Sequence, residues 1–312
     1  MGKNYEYYIA DVFTNQPFNG AQIAVFPDAA GLNTRLMGLV ARELNLSETV
    51  FVTESPSSQN QWRVRTFSPQ GEVNFAGHPI IATAYTLASC GKITLGQPYT
   101  SVLLEQNIGV IEVNISGKDK QPSFVQFSRR FSSTVDLFAP TDYELARLLS
   151  LEPKDIANKS YSARLVSSGA HPYLIVPVKS YEAVRSAVFD ASAWSQTSAP
   201  QTAAQEILLF ADRNPFQDAD FNARLVGPRI GVTEDPPVGS AMPAFAAYLC
   251  SFDHVQPGTH SYRVDRGDSK CRRSVLNIEM DNEKSDELTL RVGGEAVMIA
   301  EGTLDIPEEM LA

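Results

Sequence analysis

The sequence predicts an α+β protein made of two similar halves, each an antiparallel, barrel-like sheet wrapped around one apolar helix. A repeated motif supports this prediction: a turn at Gly77 precedes the apolar run 80–88, and a turn at Gly239 precedes the apolar run 242–249. A helix that is apolar on every side must be enclosed by other structure. Both halves also contain short segments of alternating polarity, which are typical of strands. Because the two glycines are separated by about half of the 312-residue chain, we expect pseudo-symmetric halves.

The first half is predicted to contain four strands and a two-armed hairpin around two helices. Its amphipathic helix is indicated by Leu36, Leu39, Val40 and Leu44, which recur at helical spacing. The predicted elements, in chain order, are strand 7–13, strand 21–26, helix 34–44, strand 49–52, strand 62–67, helix 80–88 and a hairpin of 102–105 with 109–113.

The second half repeats this arrangement of strands around an enclosed helix. Its predicted elements are strand 124–127, helix 142–149, strands 173–177, 207–210 and 221–226, helix 242–249, and strands 275–279 and 288–292. The segment 195–204 is predicted to be a flexible loop. The polar, turn-prone stretch 117–122 indicates the domain boundary. We therefore expect halves of residues 1–120 and 121–312, and leave open whether the last strand packs back on the first half.

Composition and charge exclude several classes of function. The formal net charge is −10 and the pI is about 5.0, which argues against a nucleic-acid-binding face and against attraction to anionic membranes. No apolar run approaches the ~20 residues that span a bilayer, and the first residues lack the features of a signal peptide. Three cysteines are too few for a disulfide framework, so a cytoplasmic location is expected. No nucleotide-binding loop motif occurs, and we predict no cofactor.

The two helix starts and one glutamate carry the predicted chemistry. Free amides at a helix N-terminus form an anion-binding site, and glycine lets the backbone approach a ligand closely. We expect both starts to point at one shared anionic ligand, a small carboxylate. Glu48 precedes an apolar strand, so its carboxyl group is expected to be buried. Burial raises a carboxyl pKa toward neutrality, which suits a group that takes and returns a proton.

Several segments resemble the PhzF family, the phenazine-biosynthesis-type isomerases that share the diaminopimelate epimerase fold. The matching segments are 11–20, 45–49, 75–79, 234–241 and 292–297, in the family's order and over essentially the whole chain. The resemblance implies a duplicated fold with a cleft between its halves, a cofactor-independent isomerase activity and a homodimer.

The resemblance also implies roles for individual residues. Glu48 and Asp235 would be the catalytic residues, with Glu48 as general acid/base and Asp235 orienting the substrate or Glu48. The substrate-binding residues would be Asn19, Ser47, Gly77, His78, Gly239 and Ser240. The sequence departs from the family pattern at Val238, where a Thr is usual, at Arg266, where a Gln is common, and in the segment 271–274. These departures leave the substrate open.

The number of available bases indicates the reaction class. A racemase needs proton donors on opposite faces of one carbon, and the epimerases of this fold use two thiols. Neither glycine turn contains a cysteine, and Cys90 and Cys250 follow toward the far ends of the two predicted helices. At 1.5 Å per residue they would lie roughly 16–18 Å from the site. A single glutamate that moves a proton on one face therefore fits better, as in an isomerase of an amino acid or cyclic hydroxy acid.

Other classes of function receive less support. The alternative is a non-catalytic carboxylate-binding or regulatory protein that retained the cleft. A hydrolase built from Ser240, His78 and Asp235 would lack the G-x-S-x-G turn. A metal site built from Cys250, His254, His260 and Cys271 would have spacings that match no common zinc motif, and we predict no metal.

Overall fold

The computed structural model describes residues 2–55, 61–156, 158–169, 172–212, 214–230, 236–267, 272–283 and 287–311. The chain divides into two compact units, here called unit 1 (residues 1–128 with 292–312) and unit 2 (residues 129–291). Both units are rich in strands and contain few helices, so the predicted α+β class is confirmed. In the part of the chain that the structure describes, no helix is long and apolar enough to cross a membrane.

Unit 1 contains most of the first half of the sequence and returns at the end of the chain. Its elements are β1 (Lys3–Val12), β2 (Ala21–Phe26), α1 (Thr34–Leu44), β3 (Glu48–Glu54), β4 (Gln61–Ser68), β5 (Gly71–Val73), α2 (Gly77–Ser89), β6 (Thr100–Gln106), β7 (Gly109–Lys118), most of β8 (Gln121–Ser132), β17 (Ala296–Ile306) and α8 (Glu308–Leu311). The pairing runs from strand to strand: β1 with β2 antiparallel, β2 with β3 parallel, β3 with β4 antiparallel, β4 with β6 parallel and β6 with β7 antiparallel.

Unit 2 holds the remaining elements. They are β9 (Thr134–Asp136), α3 (Asp142–Leu148), α4 (Pro153–Ile156), β10 (Arg164–Ser167), β11 (Pro172–Pro177), α5 (Tyr181–Ser186), α6 (Ala191–Ser195), β12 (Glu206–Ala211), β13 (Phe221–Val226), α7 (Met242–Cys250), β14 (Gly258–Arg266), β15 (Ser274–Asn282) and most of β16 (Glu287–Gly294). Pairing runs β10 with β11 antiparallel, β11 with β12 parallel, β12 with β13 antiparallel, β13 with β14 parallel and β14 with β15 antiparallel.

The same order of five pairings therefore occurs in both units. By their place in this order, the strands of unit 1 correspond one by one to those of unit 2: β1, β2, β3, β4, β6 and β7 to β10, β11, β12, β13, β14 and β15. In each unit an apolar helix follows the fourth strand of this order: α2 in unit 1 and α7 in unit 2. Eleven of the 13 residues of α2 and eight of the nine residues of α7 are buried. Each helix packs on strands of its own unit, as expected for a helix without a polar face.

The helix that leads to the candidate site in unit 1 has well-defined ends. Helix α1 begins after Asn33, whose side chain accepts a hydrogen bond from the backbone N–H of Leu36. It ends at Asn45, which adopts the left-handed conformation, and its apolar face buries Leu36, Met37 and Val40. Strand β3 then begins only three residues later, at Glu48. The helix end therefore fixes where Glu48 enters the sheet.

Two expectations about connecting segments meet different outcomes. The flexible loop predicted for 195–204 is wrong: a 3-10 helix spans Ala199–Thr202, and Ala199, Thr202 and Ala204 are buried. The stretch 117–122 is the tip of the β7–β8 hairpin, with Asp119 and Lys120 at positive φ. The two compact units divide a few residues further on, inside β8. The boundary between 120 and 121 stays a prediction.

Candidate active site

Glu48 is the first residue of β3 and lies beside β2. The two strands are parallel, and Glu48 is in register with Ile23, which is fully buried. The next four residues of β3 are buried, so the strand enters the core directly after Glu48. Ser47, just before it, is exposed and donates a hydrogen bond from its hydroxyl to the Gln22 carbonyl at 3.2 Å.

The carboxyl group of Glu48 lies in an environment that favours its neutral form. Its Oε2 oxygen is buried and accepts no hydrogen bond from the residues that the structure describes. Burial raises the pKa of Glu48 above its ordinary value, and the neighbouring Ser47 hydroxyl group opposes this shift only in part. The residue as a whole is half-buried, whereas its Oε2 oxygen is buried. The predicted burial of this carboxyl group is therefore observed.

Helix α2 begins at Gly77, and His78 is its second residue. Its N-cap residue is Ala76, which offers no hydrogen-bonding group, and Pro79 follows in the first turn. A Cβ atom on Gly77 would lie 3.2 Å from the Phe127 ring, so this position leaves little room for a larger residue. His78 is 4% exposed, and its ring meets the edge of Phe13 with the ring centroids 5.4 Å apart.

Asn19 lies in the loop between β1 and β2. Gly20 adopts φ +67°, and a Cβ atom there would come within 2.2 Å of the Val12 carbonyl oxygen. The fully buried Asp11 accepts a hydrogen bond from the backbone N–H of Phe18 at 2.7 Å, which holds Phe18 at positive φ. Asn19 follows directly and is half-buried.

Helix α7 begins differently from α2. A 3-10 turn over Gly239–Ala241 precedes it, and Pro243 stands in the first helical turn. Neither Val238 nor Ala241, the N-cap residues of the two helical segments, provides a capping side chain. Gly239 is buried and Ser240 is exposed. The predicted helix start in unit 2 is therefore observed.

Two residues that the sequence did not single out lie beside Ser240. Tyr173 of β11 is 3% exposed and is in register with Glu206, the first residue of β12. Glu206 and the Ser240 hydroxyl group both influence the titration of its phenol. Burial, followed by the charge of Glu206, raises the pKa of Tyr173, so the phenol stays protonated at neutral pH. No sequence pattern indicated this cluster, since its members lie on three separate elements.

The other residues considered from the sequence are Asp235 and the three cysteines. Asp235 and Cys271 lie outside the described residues. Cys90 is the C-cap of α2 and Cys250 is the last residue of α7, so both lie at the ends opposite the glycine turns. Among the residues that the structure describes, no group of three or more His, Cys, Asp or Glu side chains could hold a metal ion.

Comparison with known proteins gives consistent matches over the whole chain. The sequence profile of the family described as phenazine biosynthesis-like protein, PhzC-PhzF, matches residues 10–302. An uncharacterised isomerase of Mesorhizobium japonicum is 31% identical over 304 residues, which cover 96% of this chain and 98% of that protein. The trans-2,3-dihydro-3-hydroxyanthranilate isomerase of Pseudomonas chlororaphis is 28% identical, with 96% and 99% covered.

Solved structures show the same fold. A PhzF-family protein of Bacillus anthracis superposes with a TM-score of 0.83 at 23% identity, covering 97% of this chain and all of that one. A hydroxyproline epimerase of Agrobacterium vitis superposes with a TM-score of 0.61 at 12% identity, covering 98% and 94%.

The chain therefore belongs to the PhzF family of phenazine biosynthesis-like proteins. As a member of this family it is an isomerase, and the comparisons do not specify its substrate.

Proposed function

We propose that the protein is a cofactor-independent isomerase that moves a proton on a small carboxylate, with Glu48 as the only general acid/base. One observation carries this proposal: the Oε2 oxygen of Glu48 is buried without a hydrogen-bond partner among the described residues, and burial raises the pKa of its carboxyl group. A base that must also act as an acid works best with a pKa near the working pH. The proposed step removes a proton from one carbon, shifts the double bond and returns the proton to another carbon on the same face.

The first turns of α2 and α7 are the proposed carboxylate-binding elements. In neither turn does the N-cap residue provide a capping side chain, and the first backbone amides of a helix form an anion-binding site. Gly77 and His78 would serve in unit 1, and Gly239 and Ser240 in unit 2. Asn19 and Ser47 are proposed as further substrate contacts, and Asp235 as the residue that orients the substrate or Glu48. Val238 replaces a hydroxyl-bearing residue of the family pattern, which would change the substrate preference.

The proposed substrate is a carboxylate that also carries an amino or hydroxyl group. The enzymes named trans-2,3-dihydro-3-hydroxyanthranilate isomerase are 27–28% identical to this chain over nearly its full length. Their substrate contains a carboxylate, an amine and a hydroxyl on one ring, so this compound is the first to assay.

The finer architecture and the setting of the protein are also proposals. The repeated order of five pairings supports two pseudo-symmetric halves, each a barrel-like sheet around α2 or α7. The acidic composition supports a cytoplasmic enzyme in a biosynthetic process that binds neither nucleic acid nor membranes. A homodimer is proposed from the family, and its mass can be measured by light scattering.

Solvent deuterium incorporation tests the role of Glu48. Small carboxylic acids that raise the melting temperature are incubated in D2O with the wild type, Glu48→Gln and Glu54→Gln. Glu54 is the exposed last residue of the same strand and serves as the matched control. We expect Glu48→Gln to retain binding but to lose exchange by about 10²–10⁴-fold, because the amide cannot take up the proton. Equal exchange by the wild type and Glu48→Gln would refute the proposal.

The second candidate function is a non-catalytic carboxylate-binding protein that kept the same residues. It predicts that ligands stabilise the wild type but that none of them incorporates deuterium. Exchange by the wild type with any stabilising ligand would exclude it.

A further inference from the structure

Strands β3 and β4 of unit 1 have one face against α1 and one face turned away from it. Phe51 of β3 and Phe67 of β4 belong to a buried cluster that also contains Leu36 and Met37 of α1. Side chains alternate between the two faces along a strand. Thr49, which lies two residues before Phe51, therefore shares the α1 face.

The opposite face carries Glu48 and Thr66. Val50 follows Glu48 by two residues on β3 and is in register with Thr66 of β4. Glu48 and Thr66 are therefore diagonal neighbours on one face of an antiparallel pair. Such neighbours lie about 7–8 Å apart, a gap that a long side chain such as glutamate can span.

Each of these two side chains contains a buried atom without a hydrogen-bond partner among the residues that the structure describes. The atoms are the Oε2 oxygen of Glu48 and the hydroxyl oxygen of Thr66, a residue that is 3% exposed. A buried hydroxyl group without a partner costs free energy, so packing alone would favour an apolar residue of the same shape. The hydroxyl group of Ser68, two residues further along β4, already donates to the Gly71 carbonyl oxygen at 3.2 Å.

The charged residues of the neighbouring strands do not face this carboxyl group in the described part of unit 1. Strand β2 contains no charged residue. Arg63 and Arg65 of β4 alternate with Thr66, so they lie on the α1 face. Helix α1 packs on that same face with its charged residues, Arg35, Arg42 and Glu43. Helix α2 also packs against β3, and its titratable side chains are His78 in the first turn and Tyr85 further along.

We propose that Thr66 is a positioning residue that donates its hydroxyl proton to the Glu48 carboxylate when Glu48 is ionised. The same hydroxyl oxygen can accept a hydrogen bond from the carboxylic acid, so Thr66 can hold Glu48 before and after it takes up a proton. A hydrogen bond to the charged form favours that form, so it offsets part of the effect of burial and keeps a share of Glu48 ready to act as a base. The catalytic meaning of this inference rests on the proposed function.

Direct titration of Glu48 tests the inference without a substrate. The protein is labelled with carbon-13 at its glutamate carboxyl groups, and the NMR signal that is absent from Glu48→Gln is followed from pH 4 to pH 9. The wild type is compared with Thr66→Val, Thr66→Ser and Thr49→Val. Thr49 is the matched control, because it is fully buried, its hydroxyl oxygen also has no partner among the described residues, and it lies next to Glu48 on the α1 face.

We expect Thr66→Val to raise the pKa of Glu48 by about one unit, as the loss of one hydrogen bond to a charged group would. Thr66→Ser keeps the hydroxyl group and should retain the wild-type pKa. Thr49→Val should retain it as well, because its hydroxyl group lies on the other face. A purely structural role of Thr66 would lower the melting temperature of Thr66→Val and leave the titration of Glu48 in place.

The inference is overturned if Thr66→Val leaves the titration of Glu48 unchanged, or if Thr49→Val or Thr66→Ser shifts it as far as Thr66→Val does. Thr66→Ala also removes the hydroxyl group and replaces the valine variant if that variant does not fold. Deuterium exchange by Glu48→Gln tests the proposed function separately. Equal exchange refutes Glu48 as the base and leaves the titration result standing, whereas an unshifted titration in Thr66→Val refutes the role of Thr66 alone.

Discussion

Glu48 in unit 1 and Glu206 in unit 2 begin equivalent strands, yet their surroundings suit them to different tasks. Glu48 is in register with an isoleucine and has a buried oxygen without a partner among the described residues. Glu206 is in register with Tyr173, which is buried. The residue on the neighbouring strand is thus apolar beside Glu48 and polar beside Glu206. Two units with the same pairing order can in this way hold equivalent carboxyl groups in different surroundings.

The loops that precede the neighbouring strands, β2 and β11, also differ. The β1–β2 loop of unit 1 contains Gly20, where a Cβ atom would meet the Val12 carbonyl oxygen at 2.2 Å. The equivalent β10–β11 loop of unit 2 contains Gly169, which also has positive φ but where a Cβ atom would meet nothing within 4 Å. Unit 1 therefore packs its loop tightly beside the candidate base, and unit 2 leaves the corresponding glycine in open space.

The largest expected effect on stability comes from this pair of glycines. Gly20→Ala must bear both a left-handed backbone and a backbone clash, so we expect it to lower the free energy of unfolding by about 3 kcal/mol or more. Gly169→Ala bears only the backbone strain, with a cost of about 1–2 kcal/mol. Scanning calorimetry measures both. Equal losses would show that the β1–β2 loop relaxes and that the contrast between the two loops has no energetic weight.

A smaller effect on stability, opposite in sign for the two glutamates, is expected at pH 8 when each is replaced by glutamine. Burial raises the pKa of Glu48 above its ordinary value of 4.5, so the unfolded chain loses this proton at lower pH than the folded protein does. The stability contributed by the neutral carboxyl is complete below pH 4.5 and is lost as the pH rises through the folded pKa. Glu48→Gln should therefore be more stable than the wild type at pH 8, and this gain should vanish near pH 4.

Glu206→Gln should have the reverse effect at pH 8. It replaces the carboxylate in register with the buried Tyr173 by an amide, a weaker hydrogen-bond acceptor, at a cost of about 1 kcal/mol. Thermal melts of both variants between pH 4 and pH 8 compare them directly. Destabilisation by both substitutions at pH 8 would mean that Glu48 has a stabilising partner, and the distinction between the two carboxylates would fail.

The sequence predicted those parts of the site that depend on local patterns. Helix α1 and the strands β2 and β13 begin and end at the predicted residues, and for α1 the helical spacing of its apolar residues carried the prediction. The two enclosed helices follow their glycine turns, and Glu48 begins a strand as its position before an apolar run indicated.

The Tyr173–Glu206–Ser240 cluster could not be predicted in this way. Each member lies in or beside a predicted element, but their contact depends on the parallel register of β11 with β12 and on the place where α7 begins. Parallel register is set by packing over long sequence separations and leaves no local signature. The prediction of a flexible loop at 195–204 was wrong for a related reason. The small and polar residues of this segment gave no local sign that Ala199 and Ala204 pack in the core of unit 2.

The smallest expected effect concerns the two thiols and sharpens the assignment of a single base. Cys90 and Cys250 end α2 and α7, and at 1.5 Å per residue these helices hold them about 20 Å and about 13 Å from their first residues. The Cys250 sulfur lies 3.7 Å from the Met280 sulfur, as a packed side chain does. Cys90→Ala and Cys250→Ala should therefore each change deuterium exchange by less than about twofold, against the 10²–10⁴-fold loss expected for Glu48→Gln. A large loss in either cysteine variant, with an unchanged melting temperature, would make a thiol the second proton carrier and replace one-face transfer by inversion.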